Sequence, residues 1–270
     1  MINKEKDRLD QLLVLQGLVN SREKGRALIM AGQVYVNQVK VEKPGTQIKI
    51  TDTIEIKGKT HIYVSRGGLK LEKALATFSV ELKDKIVLDI GASTGGFTHC
   101  ALLKGALKVY AVDVGYGQLD WSLRQDPRVV NLERVNARYL TDKQINEKVD
   151  IITIDVSFIS LDKIIPAVKG FMKESGHILA LVKPQFEAGR ENVGKKGVVR
   201  DKKVHIAVVN NIIEYCRGIG LAPIGLDYSP VKGPEGNIEF LLFLKNGSET
   251  AGIDWTKEAA RMVEGAYEKL

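Results

Sequence analysis

Four ionisable residues stand where apolar segments begin or end. Lys70 lies at the start of LKLEKALATF, Asp155 closes IITID, Lys183 closes HILALVK, and Glu239 interrupts NIEFLLF. An amine at the end of a very apolar strand loses hydration, and a second amine nearby adds like-charge repulsion. Both effects push its pKa down toward the range of a general base. Lys183, with Lys70 as its neighbour, is therefore a candidate base, and Asp155 and Glu239 are candidates to orient the lysines and balance their charge. A glutamate inside a strand such as Ile238–Leu244 is costly to bury unless it is paired. Such a set suits a weakly acidic hydroxyl, which needs a base and cations that favour the developing alkoxide. Singly, each residue also reads as structural: a snorkelling lysine, an aspartate cap, a solvent-facing glutamate, a surface lysine. Their joint order around the loop described next favours chemistry.

That loop lies in KIVLDIGASTGGFT, residues 85–98. An apolar strand runs into Asp89, a loop of small residues follows, and a helix begins near Gly96. Glycines admit a ligand close to the backbone, and a helix N-terminus favours negative charge. A nicotinamide dehydrogenase would require G-x-G-x-x-G, yet Ser93 stands two places after Gly91. Roughly twenty residues further on, a second strand ends at Asp113, where an acid commonly accepts hydrogen bonds from ribose hydroxyls. Asp113 also reads as a helix cap before Gly115. Asn136, after the third strand, could meet an adenine. The arrangement D-x-G-x-x-x-G-G resembles the S-adenosylmethionine loop of Rossmann-like methyltransferases. That resemblance implies that Asp89 and the backbone of Gly91, Ala92, Ser93, Thr94 and Gly95 hold the methionine part.

A methyl donor needs an acceptor in line with its sulfur. Methylation of base amines goes with Asp/Asn-Pro-Pro-aromatic after the fourth strand, where this chain has Asp155-Val156-Ser157-Phe158. Methylation at pyrimidine carbon uses a cysteine nucleophile, but Cys100 and Cys216 fall inside predicted helices. A ribose 2′-hydroxyl remains, and the Lys70, Asp155, Lys183, Glu239 set resembles the tetrad of FtsJ-type 2′-O-methyltransferases.

From residue 85 onward, apolar runs alternate with helical segments. Strands are predicted at 86–90, 109–113, 129–132, 150–155, 177–183, 222–228 and 238–244, with a closing helix in WTKEAARMVEGAYEKL. Near-continuous apolar strands separated by helices argue for a buried, mostly parallel sheet. Seven strands in this order suit the methyltransferase variant of the Rossmann fold, whose last strand turns antiparallel. The stretch between Lys183 and Lys203, with 7 basic and 3 acidic residues counting both ends, is predicted to be a long loop, mobile until RNA arrives.

The first 60 residues form a second module. Leu9, Leu12, Leu13 and Leu15 give one helix an apolar face, and Ser21 caps a second helix over 22–31. Short alternating strands follow at 34–37, 47–50 and 53–56, with a turn at 43–46. Residues 61–68 (HIYVSRGG) are predicted as a linker to the catalytic domain at 69–270. Residues 1–66 carry 12 Lys/Arg against 7 Asp/Glu, the remainder 28 against 26. The net charge of +7 is thus concentrated in the first quarter, which favours a polyanion over the alternative of a merely solvated basic face. The segment RLDQLLVLQGLVNSREKGRALIMAGQVYVNQVKVEKPG resembles the alpha-L RNA-binding domain of ribosomal small-subunit protein four. By that resemblance Arg8, Arg22 and Lys43 meet phosphates, as cations on a rigid helix pair do through counterion release.

Two cysteines in 270 residues exclude a disulfide framework or a metal box. The opening MINKEKDRLD has no apolar signal-peptide core behind it, and no apolar run could span a bilayer. A cytoplasmic protein is expected. Taken together, SRGGLKL, LDIGASTGGFT, VDVGYGQLDWSLRQDPRVVNLERVNAR, DVSFISL, LVKPQFEAGRENVG and GPEGNIEF identify the chain as a member of the TlyA family, also named hemolysin A, along nearly its whole length. The family implies an S-adenosylmethionine-dependent ribosomal RNA (cytidine-2′-O)-methyltransferase, with Arg66, Arg134 and Arg190 holding RNA on the catalytic domain. Where family members often have Trp, this chain has Tyr63. The expected partners are ribosomal RNA or ribosomal subunits rather than DNA or a membrane, for a monomer or weak dimer without metal. Two rivals stay open at this level: a non-catalytic ribosome-assembly factor and a membrane-damaging hemolysin.

Overall fold

A computed structural model describes residues 5–19, 21–30, 32–57, 62–233, 235–247 and 252–270. The chain divides into two units, residues 1–60 and 61–270. Ala31, expected to end a helix, and His61, expected to open the linker, lie outside the described residues.

The first unit runs β1 (Lys6–Arg8), α1 (Leu9–Leu15), α2 (Arg22–Met30), β2 (Val34–Val36), β3 (Val39–Lys40), β4 (Gln47–Lys49) and β5 (Ile54–Ile56). The order β3-β2-β5 makes one antiparallel sheet, and β1 pairs with β4 in another. The Ser21 hydroxyl accepts from the Lys24 amide at 3.2 Å, satisfying one of the free donors of α2. Leu9, Leu12, Leu13, Ile29, Val34, Ile48 and Ile54 form the core. Leu15, expected on the apolar face, is 73% exposed instead. Leu9, Leu12 and Leu13 follow the i, i+3, i+4 spacing of one helix face, and Leu15 falls off that stripe.

The second unit contains α3 (Gly67–Thr77), β6 (Ile86–Ile90), α4 (Gly96–Leu103), β7 (Lys108–Asp113), α5 (Trp121–Arg124), β8 (Val129–Glu133) and β9 (Val149–Ile154). It continues with α6 (Ile165–Lys169), β10 (Met172–Val182), α7 (Pro184–Glu187), α8 (Lys202–Gly218), β11 (Leu221–Tyr228), β12 (Phe240–Asn246) and α9 (Trp255–Lys269). One seven-stranded sheet has the order β11-β12-β10-β9-β6-β7-β8. Strands β10, β9, β6, β7 and β8 are parallel, and β12 runs antiparallel to both neighbours. Side chains alternate between two apolar clusters: Leu88, Ile152, Ile178 and Leu242 join one, Val87, Ile151, Leu179 and Leu241 the other. Covering both faces explains why the strands read as unbroken apolar runs. Each fully buried Leu or Ile contributes about 1.5–3 kcal/mol.

Two expectations change here. Gly67 and Gly68, assigned to the linker, are the first residues of α3. The stretch after Lys183 is not a featureless loop: α7 is followed by 3₁₀ turns at Arg190–Asn192 and Lys195–Gly197, and Val198 and Val199 are buried. The Asn237 side chain holds its far end, accepting from the Val199 amide at 3.0 Å and donating to the Gly197 carbonyl at 2.8 Å. Glu187 holds its near end, accepting from the Leu161 amide at 2.9 Å and from the Ser160 hydroxyl. Glycine and charge content alone conceal such side-chain staples.

Candidate active site

The C-terminal ends of the parallel strands carry the polar groups, as expected for an open α/β sheet. Asp155 follows β9 directly, and its amide donates to the Ile90 carbonyl at 2.9 Å, which ties it to the end of β6. Lys183 follows β10; Pro184 behind it favours extended backbone, and Lys183 has φ −111° and ψ 100°. Glu239 immediately precedes β12, and α3 supplies Lys70.

These four side chains form one continuous chain of charge. Lys183 Nζ lies 2.6 Å from Asp155 Oδ1, Lys70 Nζ 3.7 Å from Asp155 Oδ2, and Lys70 Nζ 2.7 Å from Glu239 Oε2. Lys70, Lys183 and Glu239 are buried, and Glu239 is 1% exposed, so it is no solvent-facing edge residue. Both amines face carboxylates, Lys183 against Asp155 and Lys70 between Asp155 and Glu239. Lys183 Nζ also donates to Ser157 Oγ at 3.0 Å. Nothing in the periodicity marks Ser157, whose only signal is its place just after a strand-end acid.

Two cavities meet at this cluster. One, of about 310 Å³, is lined by all four charged residues together with Arg66, Gly91–Thr94 and Lys232. The other, of about 520 Å³, is lined by Asp113, Gln118, Asn136 and the 155–159 segment. Gly91, Ser93, Asp155 and Ser157 line both. Gly91 has φ +83°, and a Cβ there would stand 2.4 Å from the Asp155 carbonyl oxygen, so only glycine allows the two loops to touch. Phe158, 91% exposed with φ +63°, stands at the second cavity, its ring 5.0 Å from that of Phe186.

Most of the expected cofactor residues reach these cavities. Gly91, Ala92, Ser93 and Thr94 line the first, Asp113 and Asn136 the second. Asp113 holds the loop by accepting from the Ser93 amide at 2.8 Å and the Gly115 amide at 2.7 Å; no helix begins at Gly115, so this is a loop brace and not the helix cap that the sequence also allows. Two residues do not line either cavity. Asp89 is wholly buried and accepts from Thr98 Oγ1 at 2.7 Å and Thr153 Oγ1 at 2.9 Å, pinning the loop between α4 and β9. Burial pushes its pKa up to about 6. Gly95 instead packs against the α5 region, where a Cβ would lie 2.2 Å from Leu123 Cδ1.

Of the expected RNA contacts on this unit, Arg66 lines the first cavity, whereas Arg134 and Arg190 line neither. The Arg134 guanidinium sits 4.1 Å over the Tyr116 ring. On the first unit Lys43 is exposed. Arg8 and Arg22 both hold the buried Asp10, through Nε at 2.9 Å and 3.0 Å. The Arg8 hydrogen bond, seconded by Arg22, draws the Asp10 carboxyl down to about 2. Cys100 and Cys216 are buried in α4 and α8, and burial pushes their thiols up to about 11 and about 12. Neither is placed for nucleophilic attack.

A glycine-rich loop after β6, an acid at the end of β7 and a reversed last strand together define an S-adenosylmethionine-dependent Rossmann-like methyltransferase. The glycine cradle and the paired cavities fit that cofactor. The FtsJ-like methyltransferase family matches residues 63–246, and the S4 domain matches residues 7–54. The chain belongs to the TlyA branch of the FtsJ-like methyltransferases, with an S4 domain in front. It is 52% identical to the "Putative rRNA methyltransferase YqxC" of Bacillus subtilis, covering 98% of this chain and 96% of that protein. It is 43% identical to the 16S/23S rRNA (cytidine-2′-O)-methyltransferase TlyA of Mycobacterium tuberculosis, over 90% of this chain and 91% of that one. A solved structure titled "Putative hemolysin from Streptococcus thermophilus" superposes with a TM-score of 0.78 at 43% identity, covering 98% and 97% of the two chains. Among the described residues, no helix is long and apolar enough to cross a membrane.

Proposed function

We propose that the protein methylates the 2′-hydroxyl of a cytidine ribose in ribosomal RNA. The names of its relatives support ribosomal RNA and cytidine as the substrate. The Lys183–Asp155–Lys70–Glu239 chain, at the junction of two cavities, carries the choice of a hydroxyl acceptor.

S-adenosylmethionine supplies an electrophilic methyl group when bound. Gly91–Thr94 hold its methionine part, and Asp113 and Asn136 its adenosine. The ribose enters the cavity that contains the four charged side chains. Lys183, hydrogen-bonded to Ser157 and Asp155, takes the hydroxyl proton on Nζ in its neutral form. Lys70, held between Asp155 and Glu239, remains an ammonium and stabilises the oxygen as negative charge develops on it. The two carboxylates fix both amines and keep the cluster near neutrality. In the first unit, Asp10 fixes the heads of Arg8 and Arg22, and their exposed faces, with Lys43, meet phosphates.

The test is labelled-methyl transfer to separated ribosomal subunits, followed by mapping of the modified nucleotide. The wild-type protein is expected to label a cytidine ribose. Lys183→Ala is expected to abolish transfer and to leave RNA and S-adenosylmethionine affinities within a few-fold. A methyl group on a base, or full activity without Lys183, would sink this assignment.

A further inference from the structure

The first cavity is lined by four cations, Arg66, Lys70, Lys183 and Lys232, and two anions, Asp155 and Glu239. Lys70 and Lys183 are engaged by the two carboxylates. Arg66 and Lys232 have no ion pair among the described residues, so neither is engaged in holding the carboxylates and both are open to an anion entering the cavity. An RNA nucleotide arriving there brings one phosphate on each side of its ribose, each with one negative charge.

Lys232 is placed by a constrained segment between β11 and β12. The Ser229 hydroxyl donates to the Val231 carbonyl at 2.6 Å, and the Gly233 amide donates to the Asn237 carbonyl at 2.9 Å. Asn237, 3% exposed, is the residue whose side chain also staples the 197–199 backbone. Gly233 lies directly against the tetrad: a methyl group there would stand 2.7 Å from Glu239 Oε1. The chain thus runs past the buried glutamate and sets the preceding lysine, half-buried, on the wall of the same cavity.

From this we infer that Lys232 is a substrate-positioning residue: its ammonium holds a phosphate flanking the reacting ribose. The inference rests on the ribose-methylation reading. Arg66 is one of the two cations at the cavity without an ion pair among the described residues, and Lys232 is the other.

The experiment compares wild type, Lys232→Gln and Lys232→Arg as full-length proteins with purified ribosomal subunits over a range of salt concentrations. For Lys232→Gln we expect subunit affinity to fall about five- to tenfold, with the slope of log K against log salt shallower by about 0.7–1. KM for subunits should rise while kcat and S-adenosylmethionine affinity stay within twofold, and Lys232→Arg should restore most of the loss. An unchanged salt slope, or a loss that arginine fails to restore, overturns the inference. Methylation of a base by the wild type would defeat the ribose reading. An unaltered slope beside intact ribose methylation would defeat the role of Lys232 alone.

Discussion

Each unit contains an aspartate with no exposed surface, and the two respond to protons in opposite ways. Asp10, in the first unit, accepts from two arginines and is drawn down to about 2. Asp89, in the second, accepts from two threonine hydroxyls, and burial pushes it up to about 6. Equal burial therefore does not decide the charge state; the partner does. Asp155 adds a third arrangement: like Asp10 it lies between two cations, but these are lysines. Arginine keeps its proton under any protein condition, whereas a lysine can release one. Under the proposed function, similar geometry serves fixed-charge binding in one unit and proton transfer in the other.

The sharpest way to break this comparison is to carry the arginine solution into the catalytic unit. Lys183→Arg keeps a cation beside Asp155 but removes a group able to accept a proton. Labelled-methyl transfer should fall by about 10²–10⁴-fold, with S-adenosylmethionine affinity within a few-fold by calorimetry. Activity near wild type would show that Lys183 acts as a charge only.

A smaller effect concerns Asp89. Its folded pKa lies above the unfolded value, so its contribution to stability is complete below about pH 4 and is lost as pH rises through about 6. Asp89→Asn should remove that decline, worth roughly 3 kcal/mol across the window. Denaturant melts of both proteins from pH 4 to 7 measure it; parallel curves would refute a raised Asp89.

Asp10 has the reverse sign. Its contribution is present above its unfolded pKa and is lost as pH falls toward about 2. Asp10→Asn takes the counter-charge and one acceptor oxygen from two guanidiniums and should cost the unit about 1–2 kcal/mol at neutral pH. The difference should vanish near pH 2 in thermal melts.

The sheet was readable because strands covered on both faces spell unbroken apolar runs, and all seven occur near their expected positions. Lys70, Asp155, Lys183 and Glu239 were legible for a related reason: a charge bounding or interrupting such a run needs a partner or a task. Strand β1 was not legible, since Lys6–Arg8 has no apolar alternation. Asp89 and Gly95 occupy motif positions expected to hold the cofactor, yet one pins the loop from beneath and the other packs on leucine. Sequence spacing gives their positions but not which side of the backbone meets the ligand. Ser157 and Lys232 were missed because their significance lies in distances across the sheet, with no local pattern to mark them.

Gly91 carries a consequence of its own. Because its missing side chain lets the first loop rest on the main chain of Asp155, the two cavities are divided by residues that line both, Gly91, Ser93, Asp155 and Ser157. Neither can be reshaped independently: a bulge that enlarged one would displace the carboxylate that holds Lys70 and Lys183 in the other. Changes in what this enzyme accepts must therefore come from the outer rims, while the partition between the chambers stays bare.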